Sequence, residues 1–197
     1  MLNIPLFPLR TVLYPGGPLP LRIFESRYLD MVSRCLKDDQ PFGVLLIKEG
    51  EETGKAPATY TVGTLARIMD WYQGSDGILG ITAIGESRFR VKSVRKMPDG
   101  LLVGEVERLD NEPRQPLPDR YKPLAEILSA VLDDLGKLYE SFERHYDDAS
   151  WVSYRFAEIL PVGTTQKQFW LEHEQPIERL ELIDRVLHEV HGPANLA

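Results

Sequence analysis

Ile4-Pro5-Leu6-Phe7-Pro8-Leu9-Arg10, followed by Tyr14-Pro15-Gly16-Gly17-Pro18-Leu19-Pro20-Leu21-Arg22-Ile23-Phe24-Glu25-Ser26-Arg27-Tyr28, is the stretch that decides how the chain folds. Proline fixes φ and brings no N–H, so this run cannot be an ordinary helix or an interior strand. It reads as two short extended pieces joined by the Pro15-Gly16-Gly17-Pro18 turn. A helix follows at once. From Ser26, taken as its N-cap, to Lys37, the apolar residues Tyr28, Met31, Val32, Cys35 and Leu36 recur at three- and four-residue steps, which predicts one buried helical face.

Beyond that helix extended patterns dominate. Phe42 to Ile47 is a continuous apolar run, short enough for a strand buried on both sides. Thr59 to Tyr72 predicts a longer strand with a bulge or bend at Gly63. Gly74-Ser75-Asp76-Gly77 turns the chain into Ile78 to Ile84, and Pro98-Asp99-Gly100 joins Arg88–Met97 to Leu101–Leu109. Successive strands joined by tight turns must be antiparallel, so the first half is expected to be a bent sheet or partly closed barrel.

The opening residues, together with Gln40-Pro41-Phe42-Gly43-Val44-Leu45-Leu46-Ile47, Val62-Gly63-Thr64-Leu65-Ala66-Arg67-Ile68 and Gly85-Glu86-Ser87-Arg88-Phe89-Arg90-Val91, match in order and spelling a known family. The chain resembles the substrate-binding amino-terminal domain of the Lon proteases, a domain also found in cereblon and in short stand-alone proteins. The resemblance is strongest up to about Arg108. It implies an α+β fold: an N-terminal PUA-like antiparallel β pseudo-barrel with one helix, followed by a C-terminal helical bundle. It also implies protein and peptide binding.

Between Asn111 and Lys122 the composition shifts. Pro113, Pro116, Pro118 and Asp119 suggest a stiff polar connector with few backbone hydrogen bonds, so one domain is expected over 1–112 and a four-helix subdomain over 119–192. Leu124, Ile127, Leu128, Val131, Leu135, Leu138 and Phe142 form an apolar seam that predicts one helix running through Gly136. Ser150 is placed as the N-cap of a helix carrying Val152, Phe156, Ile159 and Leu160, which must stop near Pro161 and Gly163. Thr165 and Gln168 have capping-box spacing, and Pro176 opens a last helix that ends before Gly192-Pro193, with Ile177, Leu180, Ile183, Leu187 and Val190 along one side.

The chain has 197 residues and 43% apolar content, enough for a real core in one large domain or two small ones. Residues 1–112 carry 14 basic against 15 acidic side chains, and residues 113–197 carry 9 against 15. Such an acidic chain lacks the cationic footprint that nucleic acid binding draws on, which disfavours nucleic acid as a partner. No apolar run is long enough to span a bilayer, and the prolines at 5, 8, 15, 18 and 20 break up any secretory core. A cytoplasmic protein without membrane contact is expected, and the lone Cys35 fits a reducing compartment.

Catalytic motifs fail on inspection. Gly50-Glu51-Glu52-Thr53-Gly54-Lys55-Ala56 is too short for a phosphate-binding loop and has Ala56 where a hydroxyl must reach magnesium. At Gly136-Lys137 the required earlier glycine is Val131. Gly85-Glu86-Ser87-Arg88-Phe89 starts like a nucleophile elbow but has Phe89 in place of the second glycine. Cys35 sits on an apolar helix face, where burial raises a thiol's pKa and makes it inert. His188 and His191 lack a third metal ligand, and His145 and His173 fit solvated helix surface. No catalytic residue, metal or cofactor is expected, and the chain as written ends before any protease domain.

Two features could carry binding. Arg88, Arg90 and Lys92 alternate with Phe89 and Val91 and should share one strand face, with Arg95 and Lys96 nearby; a solvated face or an RNA contact both fit. Trp71 and Tyr72, just before the Gly74 turn, fit either a core cap or an anchor for a partner's apolar side chain. The function expected is a non-enzymatic recognition module that holds unfolded or extended polypeptide, or a partner protein such as a protease or chaperone. Its site would be a groove between barrel and bundle or an exposed strand edge. An RNA-binding module using the Arg88–Lys96 stripe is the alternative.

Overall fold

The computed structural model describes residues 1–53, 57–140 and 142–190. Contacts divide the chain into two compact units, one from Met1 to Asn111 and one from Glu112 onward.

The first unit runs β1 (Leu2–Leu9), β2 (Pro18–Ile23), α1 (Ser26–Asp38), β3 (Phe42–Glu49), β4 (Ala58–Thr59), β5 (Val62–Gln73), β6 (Leu79–Lys96) and β7 (Leu102–Arg108). Pairing follows β1-β7-β6-β5-β3, and β3 returns to β1, so these five strands close on themselves. β2 is added outside on β6, and β4 on β3. One pair departs from the antiparallel expectation: β1 and β3 are parallel, Leu6 opposite Gly43 and Leu9 opposite Leu46. The tight-turn argument governed only β5, β6 and β7. Between β1 and β3 the chain passes through β2 and α1, a crossover long enough to bring it back in the same direction.

Closure gives the sheet two apolar faces. Leu6, Leu45, Leu65, Phe89, Leu102 and Val106 fill the interior, with every strand of the ring contributing. Phe7, Phe42, Val44, Ala66, Ile81 and Ala83 face outward onto α1, where Tyr28, Met31, Val32 and Cys35 complete a second core. Every residue from Phe42 to Ile47 is therefore buried, alternate side chains serving alternate cores. Gly63 is neither bulge nor bend. A Cβ there would lie 2.2 Å from the Val44 carbonyl oxygen, so glycine is what lets β5 approach β3 so closely. The register shifts lie instead between Thr64 and Ala66 and between Ile68 and Asp70.

The helix α1 begins at Ser26 itself with Glu25 as N-cap, and Leu36 turns to solvent while the rest of the expected face is buried. The strands expected before and after Gly85 are one 18-residue strand, β6, which bends past the loop at Tyr14.

The second unit contains α2 (Lys122–Asp134), α3 (Lys137–Glu140), α4 (Ala149–Ile159), α5 (Thr164–Glu172) and α6 (Pro176–Val190). α4 packs against α2, α5 and α6, and nearly all its side chains are buried. The long seam expected through Gly136 is broken: Gly136 takes φ +59 and ends α2, the left-handed conformation that glycine supplies at helix ends. The face α2 buries is Ala125, Leu128 and Leu132, rotated from the expected seam, which leaves Ile127 and Leu135 exposed.

Asp148, not Ser150, caps α4 by accepting from the Ser150 N–H. Gly163 precedes α5 and no capping box forms. Pro176 opens α6 as expected. The connector is not bare: Leu117 N–H donates to Asp147, Ala149 N–H donates to Gln115, and Arg114 pairs with Asp147 at 3.0 Å. His145 and His173 lie outside regular helix and are half-buried rather than solvated helix surface. His191 and Gly192-Pro193, like Gly54-Lys55-Ala56, lie outside the described residues.

Candidate functional site

The five residues singled out from sequence fall at two distant places. Gly74 N–H donates to the Ile78 carbonyl at 2.8 Å and closes a hairpin whose arms are the end of β5 and the start of β6. Trp71 stands opposite Ile81 and Tyr72 opposite Gly80, while Arg90 stands opposite Val62. At about 3.3 Å per residue, Gly80 and Arg90 are separated by roughly 30 Å of strand path. The aromatics and the basic stripe are separate features.

The basic stripe is not the face that alternation predicts. In β6 the pairing passes from Arg88 opposite Thr64 to Gly85 opposite Ala66, so an extra residue sits on β6. This bulge breaks the period and buries Ser87, Arg88 and Phe89 in succession, with Arg88 only 5% exposed. Arg90 is exposed. Lys92 pairs with Glu107 at 2.6 Å, and that hydrogen bond, with the charge behind it, holds the Glu107 carboxyl below its usual range. Glu105 adds a carboxylate opposite Ser93. One of the three expected cations is withdrawn from solvent and another is neutralised by β7.

The hairpin end behaves differently. Trp71 is 60% exposed and Tyr72 52%, so they are not core caps. Met69, which sequence reasoning passed over, is 61% exposed because it is the bulged residue between Ile68 and Asp70. The tip is fastened rather than loose: Arg22 of β2 pairs with Asp76, and Ile78 N–H donates to Asp76 Oδ1 at 3.1 Å. The Tyr72 ring lies over Gly80, where a Cβ would come within 2.3 Å of a ring carbon. Arg67, just before this segment, is shared between Glu86 and Asp39, each at 2.5 Å. Three large apolar side chains thus stand in water on a braced β-ribbon.

Sequence reasoning missed the most polar buried cluster. Arg179 is fully buried on α6 and meets the Glu112 carboxylate with two nitrogens, Nη1 at 2.8 Å and Nη2 at 2.6 Å. Its Nε donates to Ser153 Oγ at 2.9 Å and Nη1 also donates to the His173 carbonyl at 2.6 Å. The hydroxyls of Ser150 and Tyr154 donate to the same carboxylate. Ser150 here faces an acid already neutralised by arginine, with no imidazole on its oxygen, so the cluster is a fastening and not a nucleophile with its base. The recoverable signal was the i, i+3, i+4 recurrence of Ser150, Ser153 and Tyr154 on one side of α4.

Burial alone would push the Glu112 carboxyl up, but the Arg179 hydrogen bonds and charge, with the two hydroxyls, outweigh it and leave it below its ordinary 4.5. A carboxyl held low in the fold stabilises above its unfolded value, and that contribution drains away as acid protonates it. The stability of the second unit is expected to fall as pH drops below about 4.5. In Glu112→Gln this part of the acid dependence should vanish, which urea titrations at pH 3 to 6 would read.

The other candidate chemistry is closed. Burial, chiefly, pushes the Cys35 thiol up to about 11. Ser87 lies inside β6, with no strand-to-helix turn beside it. Glu51 and Glu52, at the look-alike phosphate loop, both engage Arg10. His188 Nδ1 faces the carbonyl and carboxylate of its own Asp184. Among the described residues no group of three His, Cys, Asp or Glu could hold a metal ion, and no helix is long and apolar enough to cross a membrane.

With this geometry in hand, comparison with known proteins places the chain. The model of the ATP-dependent protease La (LON) substrate-binding domain matches residues 3–189, and the chain belongs to that family. It is similar to a Lon protease from Anaeromyxobacter dehalogenans, 32% identical over 94% of this chain and 23% of that protein. It is also similar to cereblon of Gallus gallus, 29% identical over 94% of this chain and 41% of that protein. The chain therefore spans less than half the length of these relatives. A crystal structure of a Lon N-terminal domain protein from Xanthomonas campestris matches with a TM-score of 0.76 and 37% identity, covering 93% of this chain and 97% of that one. The N-terminal domain of a Mycobacterium avium complex Lon protease shares the fold, with a TM-score of 0.58 at 18% identity.

Proposed function

We propose that this protein is a non-catalytic recognition module that holds unfolded or extended polypeptide through the hairpin end of β5 and β6. In this reading the first unit is a PUA-like pseudo-barrel, the second a helical bundle, and the setting cytoplasmic, with a separate protease or chaperone as the natural recipient of what is held. The observation that carries it is the exposure of Met69, Trp71 and Tyr72 on a braced ribbon, in a chain of a substrate-binding family. Aromatic side chains of this kind gain most from burying a partner's apolar groups, and bracing by Arg22 and Asp76 lowers the entropy lost on docking. The RNA alternative is not favoured, because Arg88 is buried and Lys92 is paired.

Titration of a reduced, alkylated model polypeptide against the purified protein tests this. Binding in the micromolar range is expected, weakened about tenfold or more by Trp71→Ala, the loss of about 1.4 kcal/mol that a modest hot spot supplies. Absence of binding at high micromolar concentration would refute the reading. Binding that is lost with Arg90→Glu and untouched by Trp71→Ala would move the site to the other end of β6.

A further inference from the structure

We infer that the open edge of β5 from Ile68 to Gln73 accepts the polypeptide as an added antiparallel or parallel strand, with Asp70 selecting strands that carry a lysine or arginine beside it. This rests on the reading of the hairpin end as the polypeptide site. β5 has a neighbour on both sides only at its start. β3 pairs with Thr64, Leu65 and Ala66, after which the chain leaves through Pro41 and Arg67 is held by Asp39. Among the described residues, β5 from Ile68 to Gln73 pairs with β6 alone.

The direction of the free groups follows from the hairpin register. Gly74 and Ile78 form a hydrogen-bonded pair, and such pairs alternate along an antiparallel ladder. Tyr72 and Asp70 therefore bond to β6, while Trp71 and Gln73 turn their N–H and C=O outward. The same alternation carried across β6 predicts that Leu19, Leu21 and Ile23 bond to it and that Pro18, Pro20 and Arg22 face out. Prolines stand at two of those three outward positions, so the register is consistent and the β2 edge keeps only the Arg22 donor of the three. The β5 edge has no proline. Of the two outer edges beside this ribbon, one is blocked in sequence and the other is left competent.

What guards the competent edge is one charge. Trp71 N–H, an outward donor, is met by its neighbour's carboxylate, Asp70 Oδ1, at 2.8 Å. An inward- or edge-directed charge keeps sheet edges from pairing with their own kind. A second copy added antiparallel about Trp71 would set each Asp70 opposite the other's Tyr72 and leave the two Asp70 residues as diagonal neighbours about 7–8 Å apart, with no cation between them, which charge repulsion opposes. The arginines described at this ribbon are engaged, Arg67 with Asp39 and Glu86 and Arg22 with Asp76, so the edge carries excess negative charge at Asp70. A strand bearing a cation beside Asp70 satisfies that charge as the backbone groups pair, and its apolar side chains meet Met69 and Trp71. This is strand addition, in which main-chain bonds supply affinity and flanking side chains choose the client.

The test uses the full chain and short peptides alternating Val with Lys. Binding is expected for the parent peptide. N-methylation of alternate residues, made in both registers, should cost tenfold or more in at least one register, because it removes the donors a strand must offer. Replacing Lys by Glu should cost a similar factor, and Asp70→Asn should shrink the difference between the Lys and Glu peptides. Equal binding by the parent and both N-methylated peptides would overturn strand addition while leaving polypeptide binding at this end intact. Failure of the model polypeptide itself would bring down both. A dimer whose Trp71 and Gln73 amides are protected without peptide would assign the edge to a second copy and overturn the inference.

Discussion

Arg179→Met is expected to destabilise the second unit by about 3–5 kcal/mol, the range seen when one partner of a buried ion pair is removed. The Glu112 side chain is only 5% exposed and would lose the bidentate arginine that holds it while keeping the two hydroxyls. Ser153 Oγ and the His173 carbonyl would lose their donor in the same step. Adding Glu112→Leu to Arg179→Met removes the stranded charge and should recover part of the loss, the hydroxyls of Ser150, Ser153 and Tyr154 still lacking the partners they have in the parent. Trp151 and Trp170 both belong to this unit and report its unfolding in urea once Trp71 is changed to Phe. A loss below about 1 kcal/mol for the single change would show that the cluster is not what holds α4 and α6 to Glu112.

Phe89→Ala should cost the first unit about 3–5 kcal/mol, the range for emptying a buried phenylalanine site. The ring is fully buried in the ring of strands, and it fills space vacated by two glycines: Cβ atoms at Gly43 and Gly63 would lie 2.7 and 3.0 Å from its Cζ. Because β3 and β5 close onto each other through Gly63, the surrounding backbone cannot collapse into the void. Calorimetry or urea unfolding read through Trp71 measures it. A loss under about 1.5 kcal/mol would mean the closed interior is not the stabilising core of this unit.

These two side chains mark where the sequence was legible and where it was not. Phe89 and the apolar run Phe42–Ile47 were visible, because alternation and uninterrupted hydrophobicity report strands directly; the opening prolines rightly put β2 on an edge but wrongly forbade an interior strand at β1, which holds Pro5 and Pro8 and still pairs with β7 through Leu2–Leu6 and with β3 through Leu6–Leu9. Arg179 was hidden: a charged residue in a helix reads as surface, and its partner Glu112 lies 67 positions away. Arg88 misled for a different reason. One inserted residue between Gly85 and Arg88 in β6 inverts the in-out alternation downstream, and neither Glu86 nor Ser87 announces it.

The site was half legible. Trp71 and Tyr72 were singled out because large aromatics before a turn are unusual, yet pattern alone could not decide between a core cap and an exposed anchor. Met69 was passed over because its exposure comes from a register shift against Ala83 and Thr82. The seam in α2 was overread for a related reason: Leu124, Ile127, Val131 and Leu135 keep helical spacing, but Gly136 ends the helix and Ala125, Leu128 and Leu132 are the residues it buries.

Amide hydrogen exchange of the whole chain, with and without a saturating unfolded polypeptide, tests the central claim most directly. The account predicts new protection concentrated on Ile68–Gln73, with Trp71 and Gln73 slowed most and Arg90–Lys96 unchanged. Saturation with no change at Ile68–Gln73, or protection confined to Arg90–Lys96, would contradict it.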